Sequence, residues 1–347
     1  MLLKKSFIGL KKTKLEYEAL KGELPIPVFI SGGTLDNENF NTLNLEALES
    51  ISAHISGKPS FNVFTNSEKK INTIVICGCE SDLLTITNQY VLRTKANEID
   101  KGIKVLREAT GVDNIVIVIP SHLESFCSSI QAEVKIVDNV YPSTLPQMIS
   151  KDILGKIVPE GKTYEDVGLF FLSSETVAAI GGLALGKVSL NKLFTFINKD
   201  GNKTLVSAKI GTPINEILEH FNVKLEDMDR LIFGGPMRGI CIYDTKHSIL
   251  PDTDTVIVQD KSNVNFASDI SCINCGECIR ICPVKMPVNM LIRYLAGRQY
   301  EDGANMYDLY CCIECGLCSF VCVSKIPILQ YIKLAKHELE HARKAEV

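Results

Sequence analysis

Nowhere in the 347 residues is there a run of about 18 apolar residues, so no segment reads as membrane-spanning. Basic charge is also short. Against 41 Asp and Glu stand 37 Lys and Arg, and the net charge of −4 supplies no footprint for nucleic acid. The opening MLLKKSFIGLKKTK is basic but has no apolar stretch long enough for an h-region, so no secretory signal is expected. With 46% hydrophobic and 22% charged residues, what remains is a globular chain with room for two or three domains. It is expected in the cytoplasm, either free there or peripheral on the inner face of the cell membrane.

Cysteine, by contrast, is plentiful. Thirteen are present, and reducing cytosol favours metal binding or catalysis over disulfides. Eight fall within 51 residues as two runs of C-x2-C-x2-C-x3-C: Cys272, Cys275, Cys278 and Cys282, then Cys312, Cys315, Cys318 and Cys322. This is the bacterial dicluster ferredoxin spacing. Three cysteines two residues apart can wrap a loop around one cubane, while the fourth, held at the following turn, points away and serves the other cluster. One 4Fe–4S cluster would take Cys272, Cys275, Cys278 and Cys322, and the second Cys312, Cys315, Cys318 and Cys282. Four-cysteine zinc sites also use C-x2-C pairs, but zinc does not need a third and fourth cysteine in this rhythm, twice. Gly276 and Gly316 would let backbone amides approach the sulfurs.

Pro283 follows the first run and Val323 the second, a local change in the turn with no ligand lost. Cys311, beside Cys312, reads as a bystander, with exchange for a ligand as the alternative. Cys127 and Cys241 stand alone and read as small buried hydrophobes. Cys77 and Cys79 lie where a strand runs into a loop, and two thiols at i, i+2 make a poor metal site.

Upstream, residues 73–77 (TIVIC), 114–119 (NIVIVI) and 134–138 (VKIVD) read as short buried strands. Residues 90–110 read as an amphipathic helix between the first two, a βαβ arrangement with a parallel sheet. Residues 175–186 (ETVAAIGGLALG) form a helix whose small residues permit close approach. Two short strands, LFTFIN and TLVSAKI, joined at Lys199-Asp200-Gly201-Asn202, precede a helix opened by Gly211-Thr212-Pro213, and Leu231-Ile232-Phe233 closes this module. Helices resume at 288–297 and 326–346, the last amphipathic and either a solvated surface helix or a docking helix.

These pieces carry a resemblance. ICGCESDLLT (76–85), EDVGLFFLSSETVAAI (165–180), KIGTPINEIL (209–218), FGGPMRG (233–239), both cysteine runs and SKIPILQYIKLAK (324–336) resemble the C subunit of the Rnf electron-transport complex. That family includes the cobalamin-reductase subunit of propanediol-utilising microcompartments and is similar to the flavin-binding subunit of respiratory complex I. The resemblance implies an α/β fold in four parts: a shortened N-terminal segment (1–50), a Rossmann-like flavin-type domain with a parallel sheet (51–188), a small β-grasp, SLBB-like module (189–245), and a C-terminal α-helical dicluster ferredoxin domain (260–347). It also implies FMN and NADH as cofactors beside the clusters. Redox partners would be a flavoprotein, a ferredoxin or membrane electron-transport subunits.

The departures matter as much. Relatives carry a GxGGAGFPT-like loop whose glycines let the backbone approach phosphates. Here residues 54–62 read HISGKPSFN, with Gly57 alone, and of the following acidic stretch Glu80 fits while the second Glu and the Pro do not. Gly57 and Glu80 are therefore the positions to which flavin or NADH contact carries over. Ser31-Gly32-Gly33-Thr34 reads as a turn without the helix pattern of a dinucleotide fingerprint. Two functions stay open: an electron relay through two clusters, favoured by the poor glycine loop, and an NADH dehydrogenase in which FMN splits a hydride into two electrons. A cluster-based sensor would need a DNA- or effector-binding element, and none is found.

Overall fold

The computed structural model describes residues 14–31, 43–187, 189–264 and 270–345. Its chain forms two units: residues 1–158 with 163–263, and residues 159–162 with 264–347. The Gly32-Gly33-Thr34 part of the turn read from the sequence lies outside the described residues.

In chain order the first unit contains β1 (Val28–Phe29), α1 (Leu45–Ser52), β2 (Thr73–Cys77), α2 (Thr87–Thr94), α3 (Ala96–Thr110), β3 (Ile115–Pro120), β4 (Glu133–Val137), α4 (Pro146–Met148), β5 (Leu169–Ser173) and α5 (Ser174–Ala184). It continues with β6 (Asn191–Ile197), β7 (Lys203–Lys209), α6 (Ile214–His220), β8 (Arg230–Phe233), β9 (Ile240–Ile242) and β10 (Thr255–Gln259). The second unit is helical: α7 (Glu277–Ile281), α8 (Val288–Ala296), α9 (Tyr300–Met306), α10 (Leu317–Val321) and α11 (Ile328–Ala345).

The expected parallel sheet is present, in the order β4-β3-β2-β5 with every neighbour parallel. β2 and β3 are continuous apolar runs because both faces are covered, whereas β4, expected to be buried, is an edge strand with Glu133 and Ile136 exposed and only Val137 buried. Ile74 and Ile76 point into one core with Leu92, Ile103 and Val177, and Val75 points into another with Val118 and Leu169. The strand β5 was missed at the level of sequence, since LFFLS runs directly into α5 with no turn signal between them.

The single helix expected over 90–110 is two helices. Lys95 leaves helical geometry (φ −126°, ψ 34°), ending α2 through its N–H to Val91 O at 2.8 Å and starting α3 by accepting from Ile99 N at 3.0 Å. The small residues of α5 do permit close approach. A Cβ on Gly181 would stand 1.7 Å from Glu98 O, and one on Gly102 would stand 2.1 Å from Val177 O, so α3 and α5 interlock through two glycines.

The second sheet runs β1-β7-β6-β10-β8-β9. The hairpin β6–β7 and the helix α6 form as the turn signals imply. Its central strand β10 is parallel to β6 and antiparallel to β8. Cys241, expected to be buried, is exposed, because β9 is an edge strand with Ile240 equally open to solvent. Cys127 is buried as expected.

In the second unit, α8 and α11 supply one apolar face each, with Leu291, Leu295, Ile328, Ile332 and Ala335 meeting in a common core. The long terminal helix is thus half committed to its own unit, with its charged face open.

Candidate metal centres and the crevice of the parallel sheet

The two cysteine runs fold as copies of one another. Left-handed backbone occurs at Asn274 (φ 57°), Gly276 (76°) and Lys285 (60°), and again at Glu314 (54°), Gly316 (74°) and Lys325 (52°). For the non-glycine residues such a conformation costs about 1 kcal/mol each, so its repetition marks a demanded shape. A short helix follows each glycine, α7 and α10, and each ends at the fourth cysteine, where Cys282 N donates to Ile279 O and Cys322 N to Ser319 O, both at 3.3 Å. The turn after it is the same with Pro283 or Val323: Lys285 N reaches Cys282 O at 3.2 Å and Lys325 N reaches Cys322 O at 3.1 Å.

Two small cavities result. Cys272, Cys275, Cys278 and Cys322 line the first, while Cys282, Cys312, Cys315 and Cys318 line the second, whose remaining walls are apolar. The fourth cysteine of each run thus stands with the first three of the other. Burial pushes the Cys278 thiol up to about 11 and the Cys315 thiol up to about 12, and raises Cys312 and Cys318 as well. Gathered thiols that resist ionisation in an apolar hold are suited to a metal, which stabilises thiolates that water no longer reaches. Backbone amides already point at sulfur: Glu314 N donates to Cys312 Sγ and Ile326 N to Cys322 Sγ, each at 3.4 Å. All-sulfur sets of this kind fit 4Fe–4S clusters. Lys336 of α11 pins the second loop, donating to Cys312 O at 2.9 Å and to Glu314 Oε1 at 2.8 Å. Cys311 is exposed and lines neither cavity.

The parallel sheet has its own expected ligand position. β2 leads to β3 on one side while β5 pairs on the other, so the crevice beyond the carboxyl ends of β2 and β5 is the switch point where ligands of such sheets sit. Gly57 lies there (φ 80°), so close to α5 that a Cβ would meet Thr176 Oγ1 at 2.8 Å. Its N–H donates to Pro251 O at 2.8 Å, that of Lys58 to Ile55 O at 3.2 Å, and that of Thr176 to the capping Ser173 Oγ at 3.0 Å. Protein acceptors thus hold these three amides.

A buried ionic network lies beside them. Lys192 of β6, 1% exposed, is ion-paired with Glu175 and with Asp254 at 2.8 Å, and donates to Ser56 Oγ at 3.1 Å. Ser56 Oγ in turn donates to Glu175 Oε2 at 2.6 Å, and Leu193 N to Glu175 Oε1 at 2.9 Å. Burial alone would lower the Lys192 ammonium, but Asp254 and Glu175 outweigh it and its pKa is raised. Sequence reasoning missed this network. Its one visible signal is a lysine inside the apolar run NKLFTFI.

Glu80 is fully buried and faces inward. It accepts from Gln89 N in the first turn of α2 at 3.0 Å, and its backbone carbonyl accepts from Thr144 Oγ1 at 2.6 Å. Burial, helped by the charge of Asp254, pushes its carboxyl up to about 7. Two residues on, Asp82 takes the amides of Leu83 (2.7 Å), Met237 (3.2 Å) and Arg238 (2.9 Å), and burial raises it to about 6. The Gly-Gly-Pro-Met-Arg-Gly segment is therefore a loop folded around a buried carboxylate, and a Cβ on Gly235 would stand 2.1 Å from Asp82 Cγ. An open pocket beside this network is lined by Ser56 and Glu175 together with Phe29, Tyr90, Ala179 and Leu193, and by neither Gly57 nor Glu80.

Residues 57–182 match the family model of the Nuo51 FMN-binding domain. Among curated proteins, the C subunit of the ion-translocating oxidoreductase complex of Buchnera aphidicola is 28% identical over 267 residues, 73% of this chain and 56% of the relative. The C subunit of the Na(+)-translocating ferredoxin:NAD(+) oxidoreductase complex of Acetobacterium woodii is 24% identical over 64% of this chain and 53% of the relative. This chain is a relative of these C subunits. The Rnf-type resemblance read from the motifs is thereby borne out. The Yersinia pestis member of the same group is 27% identical over 84% of this chain and 49% of its own length. The chain spans about half the length of the C subunits it matches. Among solved structures, an NAD+-reducing [NiFe]-hydrogenase in the H2-reduced state shares the fold, with a TM-score of 0.55 at 14% identity over 92% of this chain and 72% of that one. No described helix is long and apolar enough to cross a membrane.

Proposed function

We propose that this chain is an iron–sulfur electron-transfer subunit that relays electrons one at a time, through two 4Fe–4S clusters, between a redox partner and an acceptor. The observation that carries it is the exchange of fourth cysteines between two repeated loops around two apolar cavities. Cys272, Cys275, Cys278 and Cys322 hold one cluster, and Cys312, Cys315, Cys318 and Cys282 the other. When bound, each cluster supplies a one-electron centre whose potential follows hydrogen bonding and exposure. The chain's own part is to present eight thiolates, to aim the amides of Glu314 and Ile326 at sulfur, and to shut out water with Met286, Leu329 and Ile332. The Rossmann-like domain serves as scaffold and docking surface for a flavoprotein, a ferredoxin or membrane electron-transport subunits, with the chain peripheral on the cytoplasmic face.

The match to an FMN-binding domain supports the second reading, NADH oxidation through FMN with the clusters as exit, for which Gly57 and Glu80 are the candidate contacts. The occupied amides around Gly57 favour the relay. Anaerobic purification with iron, sulfide and flavin quantified together, followed by NADH titration, separates the two. About eight irons per chain without flavin and without bleaching by NADH supports the relay. Stoichiometric FMN with bleaching overturns it in favour of the dehydrogenase.

A further inference from the structure

Two of the cysteines outside the runs form a pair. Cys77 is the last residue of β2 and Cys79 follows after one glycine, so both side chains project to the same face. Both pack with Val75, Val116, Val118 and Val137. Gly78, between them, faces the other way: its N–H donates to Val118 O at 2.9 Å, and a Cβ there would meet Ile119 Cγ2 at 2.8 Å. The chain bends at Cys79, and both cysteines belong to one apolar cluster. The neighbouring Cys77 side chain, together with burial, raises the Cys79 thiol, which is 3% exposed, whereas Cys77 is half-buried and reachable. The pair sits at the carboxyl end of the first strand of the sheet, the switch-point end.

We infer that Cys77 and Cys79 are a dithiol–disulfide couple whose reaction partner is a disulfide, with Cys77 the attacking and Cys79 the resolving thiol. The Cys77 thiolate attacks one sulfur of R–S–S–R′, forming Cys77–S–S–R and releasing R′–S⁻. Cys79 then gives up its proton and attacks the Cys77 sulfur, forming Cys77–S–S–Cys79 and releasing R–S⁻. The protons end on the two leaving thiolates. The partner disulfide gains two electrons and the dithiol loses two. At the bend a bridge between residues i and i+2 closes a short, strained ring, so the bond formed is readily reduced again. Metal binding asks for more ligands than this pair offers; disulfide exchange asks for two thiols. The inference depends on neither the cluster ligands nor flavin.

Trypsin tests it directly, because Lys70 and Arg93 bracket a peptide in which Cys77 and Cys79 are the only cysteines. The anaerobic holoprotein is incubated with glutathione disulfide, alkylated and digested. In the wild-type chain this peptide is expected to lose about 2 Da and escape alkylation, with no glutathione attached, and excess reduced glutathione is expected to reverse the change. Cys79→Ser is expected to accumulate a stable glutathione adduct on Cys77, and Cys77→Ser to remain unmodified at Cys79. Alkylation of both thiols in the wild-type peptide, or a stable glutathione adduct without the internal disulfide, overturns the inference. The decisive reading is made on the wild-type chain, and iron content measured in parallel shows that each variant has folded.

Discussion

The two units place sulfur and charge by opposite means. In the cysteine-rich unit, ligands arrive through short loops whose backbone repeats residue for residue, Asn274 with Glu314, Gly276 with Gly316, Lys285 with Lys325. Four cysteines then gather around each of two cavities, and burial raises the thiols of Cys278, Cys312, Cys315 and Cys318. In the sheet unit, the switch-point crevice is organised by residues from four distant segments, Ser56, Glu175, Lys192 and Asp254, whose opposite charges satisfy one another. One region is left with donors that call for a metal. The other is satisfied internally. A domain related to a cofactor-binding family can therefore keep its sheet while its own side chains take up the polar contacts of the crevice.

The sharpest way to break this comparison is at the crossed cysteines. Cys282→Ser is expected to cost the second cluster and spare the first, lowering iron from about eight to about four per chain. Loss of only the first cluster's EPR signal would refute the crossed assignment. The crevice is probed next by Lys192→Met, which strands Glu175 and Asp254 without their cation. Removing one partner of a buried ion pair costs about 3–5 kcal/mol, read as a lowered denaturation midpoint, with both clusters retained.

A smaller effect is expected from Glu80→Gln. The Glu80 carboxyl sits at about 7 in the folded chain, above about 4.3 when unfolded. The native state therefore binds the extra proton, and this stability is complete below the unfolded value and lost as pH rises through 7. Thermal unfolding of the variant across pH 5–8 should lack that decline and gain on the order of 2 kcal/mol relative to wild type at pH 8. An unchanged pH profile would place the titration elsewhere. Gly57→Ala should have the smallest effect, about 1 kcal/mol, from left-handed backbone and the approach of Thr176 Oγ1, visible in the melting temperature.

Much of the fold was legible. Thr73–Cys77 forms the strand read from TIVIC, and the hairpin of β6 and β7 turns where Asp200-Gly201 signals it, because local patterning and turn chemistry coincide there. Cys241 and the break at Lys95 were not legible, since an edge strand and a helix bend depend on neighbours far along the chain. Nor did the motif FGGPMRG disclose its role. Only the folded chain brings Gly235 against Asp82, 153 positions away.

By itself the sequence determined the two cysteine runs, their spacing and the class of chemistry they serve, because ligands two and three residues apart are arranged by short-range backbone geometry. Tertiary structure alone decided that Lys192 pairs with Glu175 and Asp254 beside the switch-point crevice and that Glu80 caps a helix. Burial and opposite charge act through space, and such contacts between separate elements leave no periodic trace in the chain.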